Sequence, residues 1–134
     1  MTVNYQTLKI IKNKKGDLIK ILPKKNFLSK KIAEFYISEI NPGKLKAWRF
    51  HKKTNQNIVL VEGKCMVVVI FKKKFKKFIL SYSKPGILHI PKKNWYGFKN
   101  LSNKKKVKIL NFIDHKYLES EIKRKEINEI SYTW

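Results

Sequence analysis

The sequence predicts an all-β protein built as a sandwich or a barrel. Its apolar segments are short, they are rich in β-branched and aromatic residues, and turn residues separate them at short intervals. The chain has 134 residues, the length of one domain, and no linker or internal repeat divides it. We therefore expect a single domain over residues 1–134.

The strands can be placed in chain order from their composition and from the turns between them. Asn41-Pro42-Gly43 is a strong turn sequence, and Glu62-Gly63 between two apolar runs predicts a hairpin. Residues 45–51 alternate, which predicts that Arg49 and His51 share one face while Trp48 lies on the other. Strands are predicted over residues 5–11, 18–22, 31–40, 45–51, 57–61, 64–71, 75–80, 86–90, 95–98 and 107–113. Residues 117–130 alone carry a helix-like charge pattern, which predicts a short C-terminal helical segment.

The charge of the chain is strongly positive but unevenly composed. The formal net charge is +23, and a surplus of this size is typical of proteins that bind polyanions. Nearly all of it is lysine, however, and nucleic-acid readers depend on arginine for bidentate contacts. A solvated, compositionally biased surface is favoured, and nucleic acid is not the expected partner. The field would still attract a small anionic substrate.

The single cysteine and the hydropathy pattern favour a soluble cytoplasmic protein. Cys65 has no second cysteine with which to form an intrachain disulfide, which is consistent with a reducing compartment. No apolar run is long enough to span a bilayer, and the N-terminal residues lack the apolar core of a signal peptide.

The central segment has the spacing of a known motif. Gly43 is followed after five residues by Arg49, then by His51, then after four residues by Gln56, and after six more by Gly63. This spacing resembles the first cupin motif, in which Gly, His, His, Glu and Gly stand at these positions. Pro91, Lys93, Tyr96 and Asn100 stand at the spacing of Pro, Gly, His and Asn in the second cupin motif. The resemblance implies a single-domain cupin, a jelly-roll β-barrel.

The same positions argue against a cupin metal. Of the four ligand positions only His51 keeps its histidine, while Arg49, Gln56 and Tyr96 replace the others. A metal needs neutral imidazoles and a carboxylate that converge on one cation, and a guanidinium repels it. We expect no metal and no cofactor.

Two groups of cupins that act on nucleotide sugars resemble this chain. KAWRFHKKTNQ resembles a stretch of the dTDP-sugar 3,4-ketoisomerases, with Lys46 at the place of an arginine and Lys52, Lys53 and Gln56 unchanged. IPKKNWYGFKNLS resembles a segment of the dTDP-4-dehydrorhamnose 3,5-epimerases, with Tyr96 at the place of a histidine. The resemblance implies a metal-independent epimerase or ketoisomerase of a nucleotide-activated 4-keto-6-deoxy sugar in surface polysaccharide biosynthesis. It also implies a homodimer, often formed through an exchanged N-terminal strand, here residues 5–11.

Three residues are the candidate catalytic groups for such a reaction. A ketone at C4 acidifies the protons on C3 and C5, so a base with a pKa near the working pH is needed, and His51 suits this role. Tyr96 is the candidate proton donor. Arg49 is the candidate for stabilising the enolate or for binding the diphosphate. The carboxylate partner of His51 is expected to be Glu34 or Glu39.

Further residues are candidates for substrate binding. The resemblance implies that Lys46 binds the diphosphate, and we expect the aromatic rings to stack on a base or a sugar. The candidate substrate-binding set is Lys46, Gln56, Asn57, Trp48, Trp95, Tyr36 and Glu34. His89 and His115 are interpreted as structural. The alternative function is a cupin that binds a nucleotide-diphosphate sugar without catalysis, and a third is nucleic-acid binding through the lysine surface.

Overall fold

Two five-stranded antiparallel sheets form the protein. The computed structural model describes residues 2–21 and 32–134. The strands in this part of the chain are β1 (Asn4–Thr7), β2 (Ile10–Ile11), β3 (Leu18–Ile19), β4 (Glu34–Ile40), β5 (Leu45–His51), β6 (Gln56–Glu62), β7 (Lys64–Phe71), β8 (Lys74–Ser81), β9 (Gly86–Ile90), β10 (Trp95–Asn100), β11 (Val107–Ile113) and β12 (Ile122–Arg124). One sheet has the order β1-β9-β6-β11-β4 and the other β12-β5-β10-β7-β8, while β2 and β3 pair separately. This double-layered arrangement is the predicted jelly roll.

Alternating burial along the strands builds the core between the two sheets. In β11, for example, Val107, Ile109, Asn111 and Ile113 are buried and the residues between them are less so. Each fully buried aliphatic side chain stabilises the fold by roughly 1.5–3 kcal/mol. The main core consists of Val3, Ile40, Ile58, Leu60, Cys65, Val67, Val69, Phe71, Leu80, Leu88, Ile90, Tyr96, Val107 and Ile109. Asn111 is a polar residue on this otherwise apolar face, which marks it as unusual.

The hairpin predicted at Glu62-Gly63 is present and joins β6 to β7. Gly63 has a positive φ of 89°, a conformation that other residues rarely adopt. A Cβ at this position would also lie 3.1 Å from the carbonyl oxygen of Lys106. Both the turn and the packing beneath it therefore require glycine.

Most predicted strands are found within a residue or two of their expected bounds. The prediction over residues 5–11 differs, because the chain bends between β1 and β2. The predicted strand ends at residues 22 and 31 lie outside the described residues.

The C-terminal segment contains less helix than its charge pattern indicates. Only two single turns of 3-10 helix occur, at Glu119–Glu121 and Ile127–Glu129, and β12 lies between them. β12 pairs with the edge of β5, with Ile122 opposite His51. An open strand edge offers a row of backbone hydrogen bonds, and these outweigh a weak helical preference.

Aromatic side chains cover the outer face of the β5–β10–β7 sheet. Trp48 is 1% exposed and packs against Tyr132 and Trp134, with its ring centroid 6.2 and 5.1 Å from theirs. The last residues of the chain thus close the sheet on the side away from the barrel interior. No helix in the described part of the chain is long and apolar enough to cross a membrane.

Candidate active site

His51 lies at the end of β5, inside the barrel, with both ring nitrogens hydrogen-bonded. Its Nδ1 is 2.7 Å from Glu121 Oε1, and its Nε2 is 2.8 Å from the hydroxyl of Tyr96. Its side chain is almost completely buried. The ring orientation of His51 is therefore determined by two partners from distant parts of the chain.

The carboxylate of Glu121 holds three groups at once. It accepts hydrogen bonds from Thr54 Oγ1 at 2.5 Å and from the backbone amide of Lys52 at 3.1 Å, in addition to its contact with His51. Burial by itself would raise the pKa of Glu121, but the hydrogen bonds from Thr54 and His51 hold it below the ordinary value. Glu121 is therefore ionised at neutral pH and orients the imidazole, as the carboxylate of a catalytic triad does.

The prediction that Glu34 or Glu39 pairs with His51 is wrong. Glu34 accepts a hydrogen bond from the backbone amide of Tyr117 at 2.8 Å, and Glu39 forms an ion pair with Lys106 at 3.6 Å. β12 and the turn before it bring Glu121 to His51 instead, across 70 positions of sequence. Sequence patterns carry no sign of so distant a pairing.

Tyr96 can donate its one hydroxyl proton in either of two directions. An ionised Glu121 only accepts hydrogen bonds, so Nδ1 of His51 carries a proton and Nε2 of the neutral ring accepts from Tyr96. When His51 is protonated, Nε2 donates to Tyr96 and the hydroxyl donates to Gln56 Oε1, at 3.1 Å. Burial raises the pKa of Tyr96 far above its ordinary value, so the phenol stays protonated.

A chain of hydrogen bonds continues from Tyr96 across the barrel. Asn111 donates through Nδ2 to Gln56 Oε1 at 2.8 Å and to the hydroxyl of Tyr36 at 3.0 Å. Gln56 and Asn111 are buried, and Tyr36, the last residue in this series of hydrogen bonds, is half-buried. Gln56 and Tyr36 are thus near His51 as predicted, while Asn111 was not predicted. Its place on the apolar face of an alternating strand is the signal that could have identified it.

A bulge in β5 changes which side chains face the barrel interior. Tyr96 pairs with Arg49, whereas the next residue, Gly97, pairs with Ala47, so Trp48 is the extra residue in β5. Arg49 and His51 thus share the interior face and Trp48 lies on the outer face, as predicted, but the predicted alternation does not continue past Trp48 to Ala47 and Lys46. Phe98 packs on the core and pairs with Lys46, and opposed residues of two paired strands project to the same face. The bulge therefore places Lys46 on the interior face with Arg49 and His51.

Arg49 and Lys46 make this end of the barrel positive. Arg49 is half-buried, and its guanidinium forms no ion pair or hydrogen bond with residues 2–21 or 32–134. It is close enough to favour the ionised forms of Tyr36 and Tyr96. Lys46 donates to the carbonyl oxygen of Glu39 at 2.6 Å, and burial together with the Arg49 charge lowers its pKa. Glu34, predicted to bind substrate, accepts a hydrogen bond from the backbone amide of Tyr117.

Three predicted substrate-binding residues lie away from the barrel interior. Trp48 and Trp95 belong to the aromatic cluster on the outer face of the sheet, so neither can stack on a ligand beside His51. Asn57 is next to Gln56 but points to the opposite face, where it donates to the carbonyl oxygen of Phe112 at 3.2 Å. Strand alternation accounts for all three, because it separates Asn57 from Gln56, Trp48 from Arg49 and Trp95 from Tyr96.

The two other histidines have other side-chain partners. His89 Nδ1 is 2.7 Å from Asn57 Oδ1 on the outer face, and burial lowers its pKa. His115 contacts its neighbour Asp114. A cleft of about 710 Å³ beside β1 and β8 has no histidine or carboxylate among the described residues that line it.

The positions of the cupin metal ligands do not fit a metal ion. Arg49, His51, Gln56 and Tyr96 stand there, and the nitrogens of His51 are hydrogen-bonded to Glu121 and Tyr96. No group of three or more His, Cys, Asp or Glu side chains within residues 2–21 and 32–134 could hold a metal. A guanidinium beside the one remaining histidine opposes a cation at this place.

The fold and the placement of the motif residues inside it define a cupin-type β-barrel. The chain belongs to the FdtA family (WxcM-like, C-terminal), whose family model matches residues 1–130. The resemblance stated from the sequence motifs is thereby confirmed. No curated protein is similar enough in sequence to match the chain.

Solved structures of nucleotide-sugar enzymes share this fold. The chain is similar to a dTDP sugar isomerase from Desulfovibrio desulfuricans G20, with a TM-score of 0.87 and 22% identity, covering 98% of this chain and 90% of that one. It is similar to a sugar 3,4-ketoisomerase from Thermoanaerobacterium thermosaccharolyticum in complex with TDP (TM-score 0.76, 20% identity, 92% and 88% coverage). It is also similar to a dTDP-4-dehydrorhamnose 3,5-epimerase from Elizabethkingia anophelis NUHP1 (TM-score 0.77, 16% identity, 92% and 75% coverage). At these identities the similarity establishes the fold.

Proposed function

We propose that the protein is a metal-independent isomerase of a nucleotide-activated 4-keto-6-deoxy sugar. The observation that carries this proposal is the buried pair of His51 and Glu121, with Tyr96 on the other ring nitrogen. A histidine oriented by an ionised carboxylate is a general base, and general bases accelerate proton transfer by roughly 10²–10⁴-fold. The family membership and the activities named for structural relatives support the choice of substrate.

The proposed reaction begins with loss of a carbon-bound proton. His51 Nε2 takes the proton from C3 or C5, beside the C4 ketone, and the electron pair moves onto the C4 oxygen. Arg49 stabilises that developing negative charge, because a fixed cation beside a buried enolate needs no reorganisation. Return of a proton to the opposite face of the same carbon is epimerisation. When C3 loses the proton, C4 receives one, the C3 hydroxyl gives up its proton and the C4 oxygen gains one, the ketone moves to C3, and the reaction is ketoisomerisation.

Tyr96 connects the base to the rest of the network in this scheme. Its hydroxyl occupies Nε2 of the neutral His51, so the substrate must displace this hydrogen bond before the base can act. Once His51 is protonated, the hydroxyl can donate to Gln56 or to the substrate. Tyr96 therefore acts as the proton donor or as the group that holds His51 until substrate binds, and Tyr36 and Lys46 contact the substrate from the rim.

The alternative is a cupin that binds a nucleotide-diphosphate sugar without catalysis. It is favoured by the burial of His51, which is 5% exposed, and by the hydrogen bonds that occupy both of its nitrogens. In this alternative the His51–Tyr96–Gln56 chain stabilises the barrel, and Arg49 and Lys46 alone contact the ligand. The two functions differ in whether carbon-bound protons exchange with solvent.

We also propose a homodimer that acts in surface polysaccharide biosynthesis. Support for the dimer comes from β4, an edge strand whose Phe35 and Ile37 are 67% and 60% exposed. An exposed apolar edge of this kind is typical of an interface between chains. β1 pairs with β9 of the same chain. If residues 5–11 were exchanged between subunits, β1 would form the same hydrogen bonds with β9 of the partner subunit.

The test is hydrogen exchange at the sugar carbons. The protein is incubated with dTDP-4-keto-6-deoxyglucose in deuterated water, and the sugar protons are followed by NMR. We expect deuterium at C3 or C5 from an epimerase and at C4 from a ketoisomerase, lost in His51→Gln and kept in His115→Ala, which changes a histidine outside the network. The position of the deuterium and the product formed separate epimerase from ketoisomerase. Ligand-induced shifts of protein signals without deuterium incorporation would establish the binding protein instead.

A further inference from the structure

Three loops meet at one end of the barrel, and each contains a pair of adjacent lysines. The loops join β5 to β6 (residues 52–55), β7 to β8 (residues 72–73) and β9 to β10 (residues 91–94). Trp95 lies opposite both Phe50 and Ile70, so β5 and β7 end where β10 begins. Gln56 lies opposite Ile90, so β6 begins where β9 ends. We call this surface the lysine end, and its lysines are Lys52, Lys53, Lys72, Lys73, Lys92 and Lys93.

The three loops are connected to one another. The backbone amide of Lys93 donates to the carbonyl oxygen of His51 at 2.7 Å, and the backbone amide of Lys92 donates to Asn55 Oδ1 at 2.9 Å. Phe71, the residue before the β7–β8 turn, lines a hollow of about 380 Å³ together with Asn55, Lys92 and Lys93. The three lysine pairs therefore belong to one continuous surface.

Carboxylates do not balance the positive charge of the lysine end. None of its six lysines forms an ion pair with any described residue. Asp114 and Glu121 contact these loops, but both are buried and engaged in hydrogen bonds. At the opposite end of the barrel, by contrast, Lys106 forms an ion pair with Glu39 at 3.6 Å. The lysine end therefore presents exposed positive charge without a neutralising partner in the described part of the chain.

Lysine occupies loop positions here that suit other residues better. Lys72, Lys73 and Lys93 have positive φ values of 51°, 64° and 65°. Asparagine and glycine adopt this left-handed conformation at less cost, and Asn-Gly is preferred in two-residue turns such as Lys72-Lys73. The chain uses asparagine to begin other turns, at Asn13 and Asn41. Because asparagine was not used at these three positions, we interpret the lysines as retained for their charge.

The composition of the loops favours an anionic lipid surface over other anionic partners. Residues 52–55, 72–73 and 91–94 contain no arginine and no aromatic residue. Nucleic-acid sites depend on arginine for bidentate contacts and on aromatic rings for stacking. A small anion requires a concave group of donors, whereas these six lysines are exposed and belong to three loops. A bilayer that contains anionic lipids is an extended surface of diffuse negative charge, which lysines bind as point charges.

We propose that the lysine end binds peripherally to a bilayer that contains anionic phospholipids. Each lysine that reaches the surface strengthens binding about fivefold, and salt screens the attraction. Lys46 and Arg49 line a groove beside β12 and not the hollow at the lysine end. The proposed substrate site and the lysine end are therefore different surfaces, and the binding does not require the proposed reaction.

The test is sedimentation of the protein with lipid vesicles. Vesicles of phosphatidylcholine that contain phosphatidylglycerol are compared with vesicles of phosphatidylcholine alone, at about 0.1 M salt. One variant combines Lys72→Gln, Lys73→Gln, Lys92→Gln and Lys93→Gln, and it should bind the anionic vesicles about 100-fold more weakly. The matched control combines Lys44→Gln, Lys84→Gln, Lys104→Gln and Lys105→Gln, which remove the same charge from exposed positions at the opposite end of the barrel. The control should weaken binding by less than about fivefold.

The control separates binding through the lysine end from attraction by the net charge of +23. A similar loss in both fourfold variants overturns the proposal, as does failure of the unmodified protein to bind the anionic vesicles. If the first variant does not fold, Lys92→Gln with Lys93→Gln alone should still weaken binding by about tenfold. Because the assay contains no sugar nucleotide, its result leaves the proposed isomerase unaffected.

Two further measurements test the nature of the partner. Lys72→Arg, Lys73→Arg, Lys92→Arg and Lys93→Arg together keep the charge and should preserve vesicle binding, since a diffuse charge does not distinguish the two cations. Loss of binding in this variant overturns the proposal. Tighter binding to a single-stranded oligonucleotide than to the anionic vesicles at the same salt would assign the surface to nucleic acid and also overturn it.

Discussion

Replacement of Glu121 by glutamine tests the link between the buried dyad and the base. The carboxylate accepts three hydrogen bonds, from His51 at 2.7 Å, Thr54 at 2.5 Å and the amide of Lys52 at 3.1 Å. Glutamine keeps the size of the side chain, but its amide group is a donor that faces other donors. A buried donor left unsatisfied costs about 1–3 kcal/mol of folding free energy.

The effect on catalysis follows from the charge that develops on His51. When the imidazole takes a proton from the substrate, the carboxylate of Glu121 stabilises the resulting imidazolium, and glutamine cannot. A charge-assisted hydrogen bond is worth roughly 1.5–3 kcal/mol, which corresponds to a rate about 10- to 150-fold lower. We expect deuterium incorporation into the sugar to slow by this factor in Glu121→Gln.

The assay combines urea denaturation with the NMR exchange rate. Glu62→Gln is the control, because it makes the same chemical change at an exposed carboxylate that pairs with Lys108 at 3.2 Å. It should change stability by less than about 1 kcal/mol and leave the exchange rate unaltered. An exchange rate in folded Glu121→Gln within a factor of two of the unmodified protein would refute the role assigned to the dyad.

Four further predictions follow from the same structure. The pKa of Glu121 is lower in the folded protein than in the unfolded chain, where it is about 4.3. The ionised carboxylate therefore stabilises the fold above this pH, and the contribution is lost as the pH falls through the pKa of the folded state. The stability difference between the unmodified protein and Glu121→Gln should stay constant above about pH 5 and shrink in urea melts at acid pH. Burial raises the pKa of Cys65 to about 12, so a thiol reagent at pH 8 should label the protein only after denaturation, and rapid native labelling would contradict the burial. Tyr96→Phe should lower the exchange rate by about 100-fold if the phenol is the proton donor, whereas an increase would show that it holds His51 inactive. Ile37→Lys should yield a monomer in light scattering, and an unchanged mass would exclude this face as the interface.

Local pattern was sufficient to predict the strands and part of the candidate site. Alternation and β-branched composition placed β5, β7, β9 and β11 at their observed bounds. The motif spacing identified His51, Gln56 and Tyr96 as one group, and the structure joins them by hydrogen bonds. These predictions succeed because a strand's side-chain direction and a hairpin's turn depend on residues close in sequence.

The wrong assignments share a physical cause. Trp48 and Trp95 were placed in the binding site because aromatic rings stack on sugars, but each is adjacent in its strand to an interior residue and therefore lies on the outer face. Asn57 was assigned from its nearness in sequence to Gln56, and adjacent residues of a strand point to opposite faces. The C-terminal segment was predicted from its charges, whereas the open edge of β5 determines its conformation.

The sequence by itself determined the class of fold, the loss of the cupin metal ligands and the histidine around which the candidate chemistry is organised. Only the tertiary structure decided that Glu121 orients this histidine, that Asn111 extends its network and that Arg124 lies opposite Arg49. The physical reason is that strand formation is a local preference, while these contacts join residues 55 to 75 positions apart. The pairing of β12 with β5 fixes the contacts of Glu121 and Arg124, and the pairing of β11 with β6 brings Asn111 near Gln56; both pairings depend on the packing of the whole barrel.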